Sequence, residues 1–285
     1  YKMKRVDLFR DTTGYWVSNI DLYESLLEIG ANKCEVLYVH SALTFGFPNP
    51  NLKRSELLLE IYTVLLHLNV PTLCMPTFTF SYCNGLIFDP LLSKSKMGVL
   101  NEFFRKQEHV VRSNDPLMSI ALLGEDKDIA LGISTHSIGD NSTFDKLRHR
   151  DNVKFLFLGT KIGDCFTYMH YLEWLYGVDY RYDRKFLGTS IVGGRMEKNE
   201  YDLFVRYATV SPNSNSYMYE EDMYRNSIAF KKQLGDSSIS IVEEKVAADA
   251  YHECLLYNPF YFVDCENNIL KKDKTFKLTK EMVAL

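Results

Sequence analysis

The chain has 285 residues, 46% hydrophobic and 25% charged, with a formal net charge of −4 at pH 7. That length and composition suit a soluble globular protein with a substantial core, in one large α/β domain or two small ones. The slight acidity gives no electrostatic footprint for nucleic acid or an anionic membrane, although a local basic pocket stays open.

In chain order, residues 1–15 are polar and of mixed charge and are expected to extend across the surface. Residues 19–30 join a cap residue, helical apolar spacing and a terminal Gly30, which predicts a helix with its stop signal. Residues 34–40 then read as a buried strand ending at His40-Ser41, residues 54–68 as a second helix and 71–80 as a second strand. A strand, helix, strand order is typical of a layered α/β domain. Between Ser81 and Val111 lies a long stretch punctuated by glycine, with one short helix at 99–106. Loops of that length are usually functional or mobile. A short strand at 119–123 and short helices at 127–132 and Thr143–Arg148 follow.

The apolar run Val153–Leu158 predicts a buried strand, Gly159 to Asp164 the turn that ends it, and Thr167 onward a helix. The basic and aromatic segment 180–186 then leads into strands at 188–193 and 202–210 and a Ser/Asn/Pro loop at 211–216. An amphipathic helix is expected at 220–234, a strand at 238–243 and a helix at 246–257 closed by Asn258-Pro259, before a strand and tail in the last twenty residues.

Cys34, Cys74, Cys83, Cys165, Cys254 and Cys265 show no CxxC spacing, and three lie in apolar runs, which suits reduced thiols in a cytoplasmic protein. Zinc-ligand spacing is absent, and no apolar stretch approaches the roughly 20 residues of a membrane helix. No nucleic acid, membrane or metal partner is therefore expected. No secretory signal is visible; the chain begins at Tyr1 without an initiator Met, so an N-terminal piece is expected to have been trimmed or left out.

The chemistry centres on Thr167, His170 and Glu173, three residues apart and so on one helix face, where Glu173 can orient the imidazole or stabilise its charged form. A histidine at a strand-to-helix corner backed by a carboxylate is the general-base half of many transfer enzymes, yet alone such a pair is more often an ordinary surface pair. Further polar clusters fall at predicted strand ends, where open α/β sheets bind ligands: His40-Ser41, Thr77 and Thr79, Arg112-Ser113, and 139–143. Each also reads as a helix cap or a packed polar group.

Their order carries more. Val39-His40-Ser41-Ala42-Leu43-Thr44-Phe45-Gly46, Met75-Pro76-Thr77-Phe78-Thr79, Phe88-Asp89-Pro90, the 97–105 run, Arg112-Ser113 to Ser119, 138–142 and Thr167 to Glu173 succeed one another as in the aminoglycoside 3-N-acetyltransferase family, which the chain resembles over residues 20 to about 195. A fainter echo runs from Ile241 to Phe262.

The resemblance implies a three-layer α/β/α fold with a central mixed sheet in one acetyltransferase domain over 1–285. Within it, 1–18 is an extension, 20–195 the core and 196–285 the half that completes the sheet. It implies acetyl-CoA as cosubstrate, no metal, and a small-molecule amino-sugar acceptor, with a homodimer open. It makes His170 the general base with Glu173 as its partner, and puts His40, Ser41, Thr77, Arg112 and Ser113 around the coenzyme. Backbone N–H groups near Ser41, or the Thr167 hydroxyl, are candidate oxyanion donors.

Acceptor loops for polycationic aminoglycosides are expected to be acidic, whereas residues 81–92 hold a single acid, Asp89. Arg181, Arg184 and Lys185 beside Tyr180, Tyr182 and Phe186 suggest instead an acceptor with phosphate and a ring, so Asp89, Tyr182, Arg184 and Lys185 are candidate acceptor contacts. The expectation is a nucleotide-linked amino-deoxy sugar for surface polysaccharide, with an aminoglycoside antibiotic or a non-catalytic coenzyme-binding relative as alternatives. A hydrolase using Ser41 or Cys165 as nucleophile is a further rival, lacking a Gly-x-Ser-x-Gly elbow.

Overall fold

The computed structural model describes residues 3–276. The chain opens with β1 (Asp7–Arg10) and β2 (Trp16–Ser18), then α1 (Asn19–Glu28). Ser18 and Asp21 form a capping box: the Ser18 hydroxyl accepts from Asp21 N at 3.2 Å while Asp21 accepts from Ser18 N at 2.8 Å, which fixes where the helix starts. Next come β3 (Val36–Ser41), β4 (Phe47–Pro48), α2 (Arg54–His67), β5 (Thr72–Pro76) and α3 (Val99–Phe104). β6 (Val111–Arg112), β7 (Ile120–Gly124), α4 (Thr143–Arg148) and β8 (Val153–Leu158) follow. The corner after β8 holds α5 (Ile162–Cys165) and α6 (Tyr168–Leu175).

A long hairpin, β9 (Arg181–Val192) with β10 (Arg195–Arg206), precedes β11 (Val210–Pro212) and α7 (Asn215–Arg225). The chain then runs through β12 (Ala229–Leu234), β13 (Ser237–Glu243), α8 (Glu244–Tyr257) and β14 (Val263–Cys265).

Seven strands form the central mixed sheet in the order β12-β13-β8-β3-β5-β7-β6. Its middle three, β8, β3 and β5, run parallel, and antiparallel strands complete both sides. The middle strands are buried almost end to end, as strands covered on both faces must be. Side-chain alternation divides the core in two. Val36 and Tyr38 of β3 with Phe155 and Phe157 of β8 pack toward Phe144, Tyr168, Leu172 and Tyr251, on α4, α6 and α8. Leu37, Val39, Leu156 and Leu158 pack the other way, onto Leu26, Ile61 and Leu100 of α1, α2 and α3. This is the expected three-layer α/β/α arrangement.

Three expectations need correction. The N-terminal segment is not a surface strap: Leu8 and Phe9 are buried and β1 pairs with β2 and β4. The helix expected over 220–234 is α7 followed by strand β12, because Ser227 takes a left-handed φ of 58° that ends the helix, and pairing with β13 then outweighs helical periodicity. Segment 180–186 is not a lead-in: from Arg181 on it is the first half of β9. Of the strand and tail expected at the C-terminus, residues 277–285 lie outside the described residues.

Candidate active site

The carboxyl ends of β3, β5 and β8 open into a recess of about 740 Å³ whose lining includes His40, Ser41, Pro76, Phe78, Thr160 and Thr167. Apolar side chains from β10 and beyond, among them Leu203, Phe204, Tyr207 and Phe276, line it too. A second recess, of about 210 Å³, lies between the α5–α6 corner and Asn213, Ser216 and Phe262. Asp164, Cys165, Thr167, His170, Arg181 and Arg206 line both, so the two recesses meet at the first turn of α6.

His170 stands at that junction with 36% of its side chain exposed, while Glu173, one turn on, is only 4% exposed. His170 Nδ1 lies 3.0 Å from Glu173 Oε2. The other oxygen, Oε1, accepts from the Tyr180 hydroxyl at 2.8 Å, and Arg181 Nε approaches Oε2 to 2.6 Å. Burial pushes the Glu173 carboxyl up, but Arg181, His170 and Tyr180 together outweigh it and hold the group at about 2. Glu173 is therefore an anion at any working pH.

The imidazole is pushed the opposite way. Its desolvation and then the Arg181 charge lower its pKa from the ordinary 6.5, against the pull of Glu173, so the ring is neutral at pH 7. Arg181 Nη2 also lies 2.9 Å from His170 Nδ1, but one nitrogen cannot both donate to Glu173 and accept from Arg181. A charge-assisted bond to a carboxylate is the stronger of the two, which assigns the proton to Nδ1 and the lone pair to Nε2. Nε2 has no partner among the described residues. The arrangement can take a proton from a group held in either recess.

Thr167 stands just ahead of α6, lines both recesses and donates to Cys165 O at 3.3 Å. His40 is 4% exposed, stacks on Phe157 with centroids 4.7 Å apart, and finds no hydrogen-bond partner for either ring nitrogen among the described residues. Burial lowers its pKa to about 3. The Ser41 hydroxyl donates to Asn101 Oδ1 at 2.8 Å, and Asn101 Nδ2 donates to Pro76 O at 2.8 Å, tying α3 to the ends of β3 and β5. His40 and Ser41 thus line the larger recess as the strand-end reading places them.

Thr77, Arg112 and Ser113 do not reach it. Thr77 and Ser113 are fully buried, and the Arg112 guanidinium is consumed by backbone: it donates to Thr77 O at 2.6 Å, Ser93 O at 2.6 Å and Pro90 O at 3.1 Å, and lies on the Phe88 ring. The Ser113 hydroxyl accepts from Ile120 N at 3.0 Å. These residues clasp the loop after β5 rather than face a ligand.

The four candidate acceptor contacts also have local partners. Asp89 Oδ1 accepts from Leu91 N and Leu92 N in a turn, Tyr182 stacks on Tyr207, Arg184 lies over Phe276, and Lys185 pairs with Glu200 across the hairpin. None of the four lines either recess. Burial pushes the Cys165 thiol up to about 12, and no hydrogen bond links it to His170, so it is poorly suited as a nucleophile.

Sequence reasoning misses Tyr180, Arg181 and Arg206 as members of this cluster. In the sequence Arg181 groups with its basic neighbours. What separates it is strand alternation, together with the Gly177 turn that folds the chain back along α6. Arg206 is directly opposite Arg181 in the hairpin, a register that no local signal reveals. Among the described residues no helix is long and apolar enough to cross a membrane, and no group of His, Cys, Asp or Glu could hold a metal ion.

A sequence profile for the aminoglycoside 3-N-acetyltransferases matches residues 70–255. No curated protein sequence matches the chain. Among solved structures, the aminoglycoside acetyltransferase AAC(3)-IVa apoenzyme superposes with a TM-score of 0.70 at 19% identity, covering 89% of this chain and 94% of its own. AAC-IIIb in a binary complex with CoASH gives 0.71 at 16% identity over 84% and 96%. The YokD protein from Bacillus subtilis gives 0.68 at 18% identity over 85% and 94%.

Proposed function

The chain belongs to the aminoglycoside 3-N-acetyltransferase family, and from that premise we propose that it moves acetyl from acetyl-CoA to the amine of an amino sugar, with His170 as general base. One observation carries the reading: an imidazole whose Nδ1 is fixed by a buried carboxylate presents an unpartnered Nε2 where two recesses meet. A two-substrate transfer needs a proton acceptor at such a meeting point. In this reading His40 and Ser41, which line the larger recess at the end of β3, border the coenzyme's reactive arm.

In this reading His170 Nε2 accepts a proton from the amine as its nitrogen bonds to the acetyl carbon. The carbon–sulfur bond breaks, and the imidazolium returns the proton to the departing thiolate. Glu173 stabilises the imidazolium while it lasts, and the Thr167 hydroxyl can turn from Cys165 O to donate to the oxyanion. The nucleotide-linked acceptor expected from the basic segment loses its support, since Arg181 serves Glu173, Lys185 serves Glu200 and Arg184 lies over Phe276.

Thiol release from acetyl-CoA, measured with gentamicin, glucosamine and a nucleotide-linked amino sugar, tests the assignment. Amine-dependent release with a monoacetylated product supports it. Release that no amine accelerates, with acetyl found on the protein by mass spectrometry, would favour a nucleophilic mechanism instead.

A further inference from the structure

Arg206 is the basic member of the junction that this scheme leaves unused. It closes β10 directly opposite Arg181 on β9, so two guanidiniums stand as a cross-strand pair at the lip of both recesses. Like charges in that relation repel. Glu173 offsets one of them by its contact with Arg181, whereas the Arg206 guanidinium has no hydrogen bond or ion pair with any described residue. It is half-buried, and burial followed by the Arg181 charge lowers its pKa against the weaker pull of Glu173 and Tyr180, while no carboxylate is in contact with it among the described residues. Among the described residues the only carboxylate lining the larger recess is Asp164, which accepts a hydrogen bond from the Tyr217 hydroxyl.

Resting on the acetyltransferase reading above, we propose that Arg206 is an anion-binding element for the acceptor, and that the amino sugar carries an acidic group, carboxylate or phosphate, near the amine to be acetylated. The coenzyme does not supply that anion in this geometry. Its phosphates are separated from the thioester by the whole pantetheine arm, and the thioester must sit beside His170, which lines the same two recesses as Arg206. Asn213 and Ser216, lining the smaller recess beside Arg206, add polar groups suited to a hydroxylated ring. A polycation, by contrast, would meet two guanidiniums and gain one carboxylate in the larger recess.

The test is calorimetric binding of glucosamine, glucosamine 6-phosphate and 2-amino-2-deoxyglucuronic acid to the full chain in the presence of CoA. Wild type, Arg206→Gln and Arg206→Lys are compared, with acetyl transfer to the same amines followed in parallel and a thermal melt confirming that each variant is folded. At least one acidic amine is expected to bind wild type about 10- to 100-fold more tightly than glucosamine, the size of a charge-assisted hydrogen bond. Arg206→Gln should erase that preference and Arg206→Lys should partly restore it, with CoA affinity unchanged. Equal binding of all three amines by wild type overturns the proposal, as does a loss in Arg206→Gln that falls on CoA. Preferential binding of an acidic amine without acetyl transfer to any of the three would leave the anion site standing and count against the transferase reading.

Discussion

At position 170 the decisive quantity is not the presence of a histidine but which of its nitrogens carries the proton. Glu173 and Arg181 compete for Nδ1, and the same guanidinium that steadies the carboxylate also depresses the imidazole pKa. The base must be neutral to act, so activity should rise with pH through a limb lying below 6.5 and be level near neutrality. Arg181→Gln removes a cation that disfavours imidazolium and leaves Glu173 to favour it. The limb should therefore move to higher pH in a kcat/KM profile, whereas a uniform loss at every pH would reduce Arg181 to a packing role. The His–Glu spacing was legible in the sequence because it is local to one helix. Tyr180 and Arg181 were not, because their roles depend on how the chain returns after Gly177.

Among the elements, those written as one unbroken apolar or helical run followed the local pattern: β8, α4 and α8 fall within two residues of their expected ends. The helix expected at 220–234 failed where a single left-handed residue, Ser227, handed the second half to an edge strand of the central sheet. The loop between β5 and β6 shows the same limit at the site. Arg112 has the residue type and the strand-end position of a phosphate contact, yet three carbonyls of that loop and strand end take its hydrogen bonds. Arg112→Ala strands the buried Thr77 carbonyl and the two part-buried ones and should destabilise the fold by about 2–4 kcal/mol, since each unsatisfied buried group costs about 1–3 kcal/mol. A lower urea midpoint with an unaltered coenzyme affinity is the expected outcome. Weakened coenzyme binding at full stability would return Arg112 to the ligand.

Across the whole molecule, the three parallel strands converge their carboxyl ends on one recess, and the β9–β10 hairpin supplies its far wall. The layered α/β class was readable from strand and helix order and the mixed sheet from the family resemblance, but the wall was not, because hairpin register is a long-range property. Convergence also has a cost in acid. His40, buried without a partner among the described residues at the mouth of β3, is held neutral with its pKa depressed to about 3, whereas in the unfolded chain it titrates near 6.5. The unfolded state therefore binds the extra proton between those values. The stability His40 contributes is complete above pH 6.5 and falls by on the order of 4 kcal/mol as pH drops toward 3. Replacing His40 with Leu should flatten the fall in urea midpoint between pH 7 and pH 4, and an unchanged slope would assign the acid sensitivity to other groups.

His170→Ala, assayed for acetyl transfer alongside calorimetric CoA binding, is the most direct test of the general-base role. Turnover is expected to fall on the order of 10²- to 10⁴-fold while CoA affinity is retained. Transfer at the wild-type rate with the ring removed would contradict it.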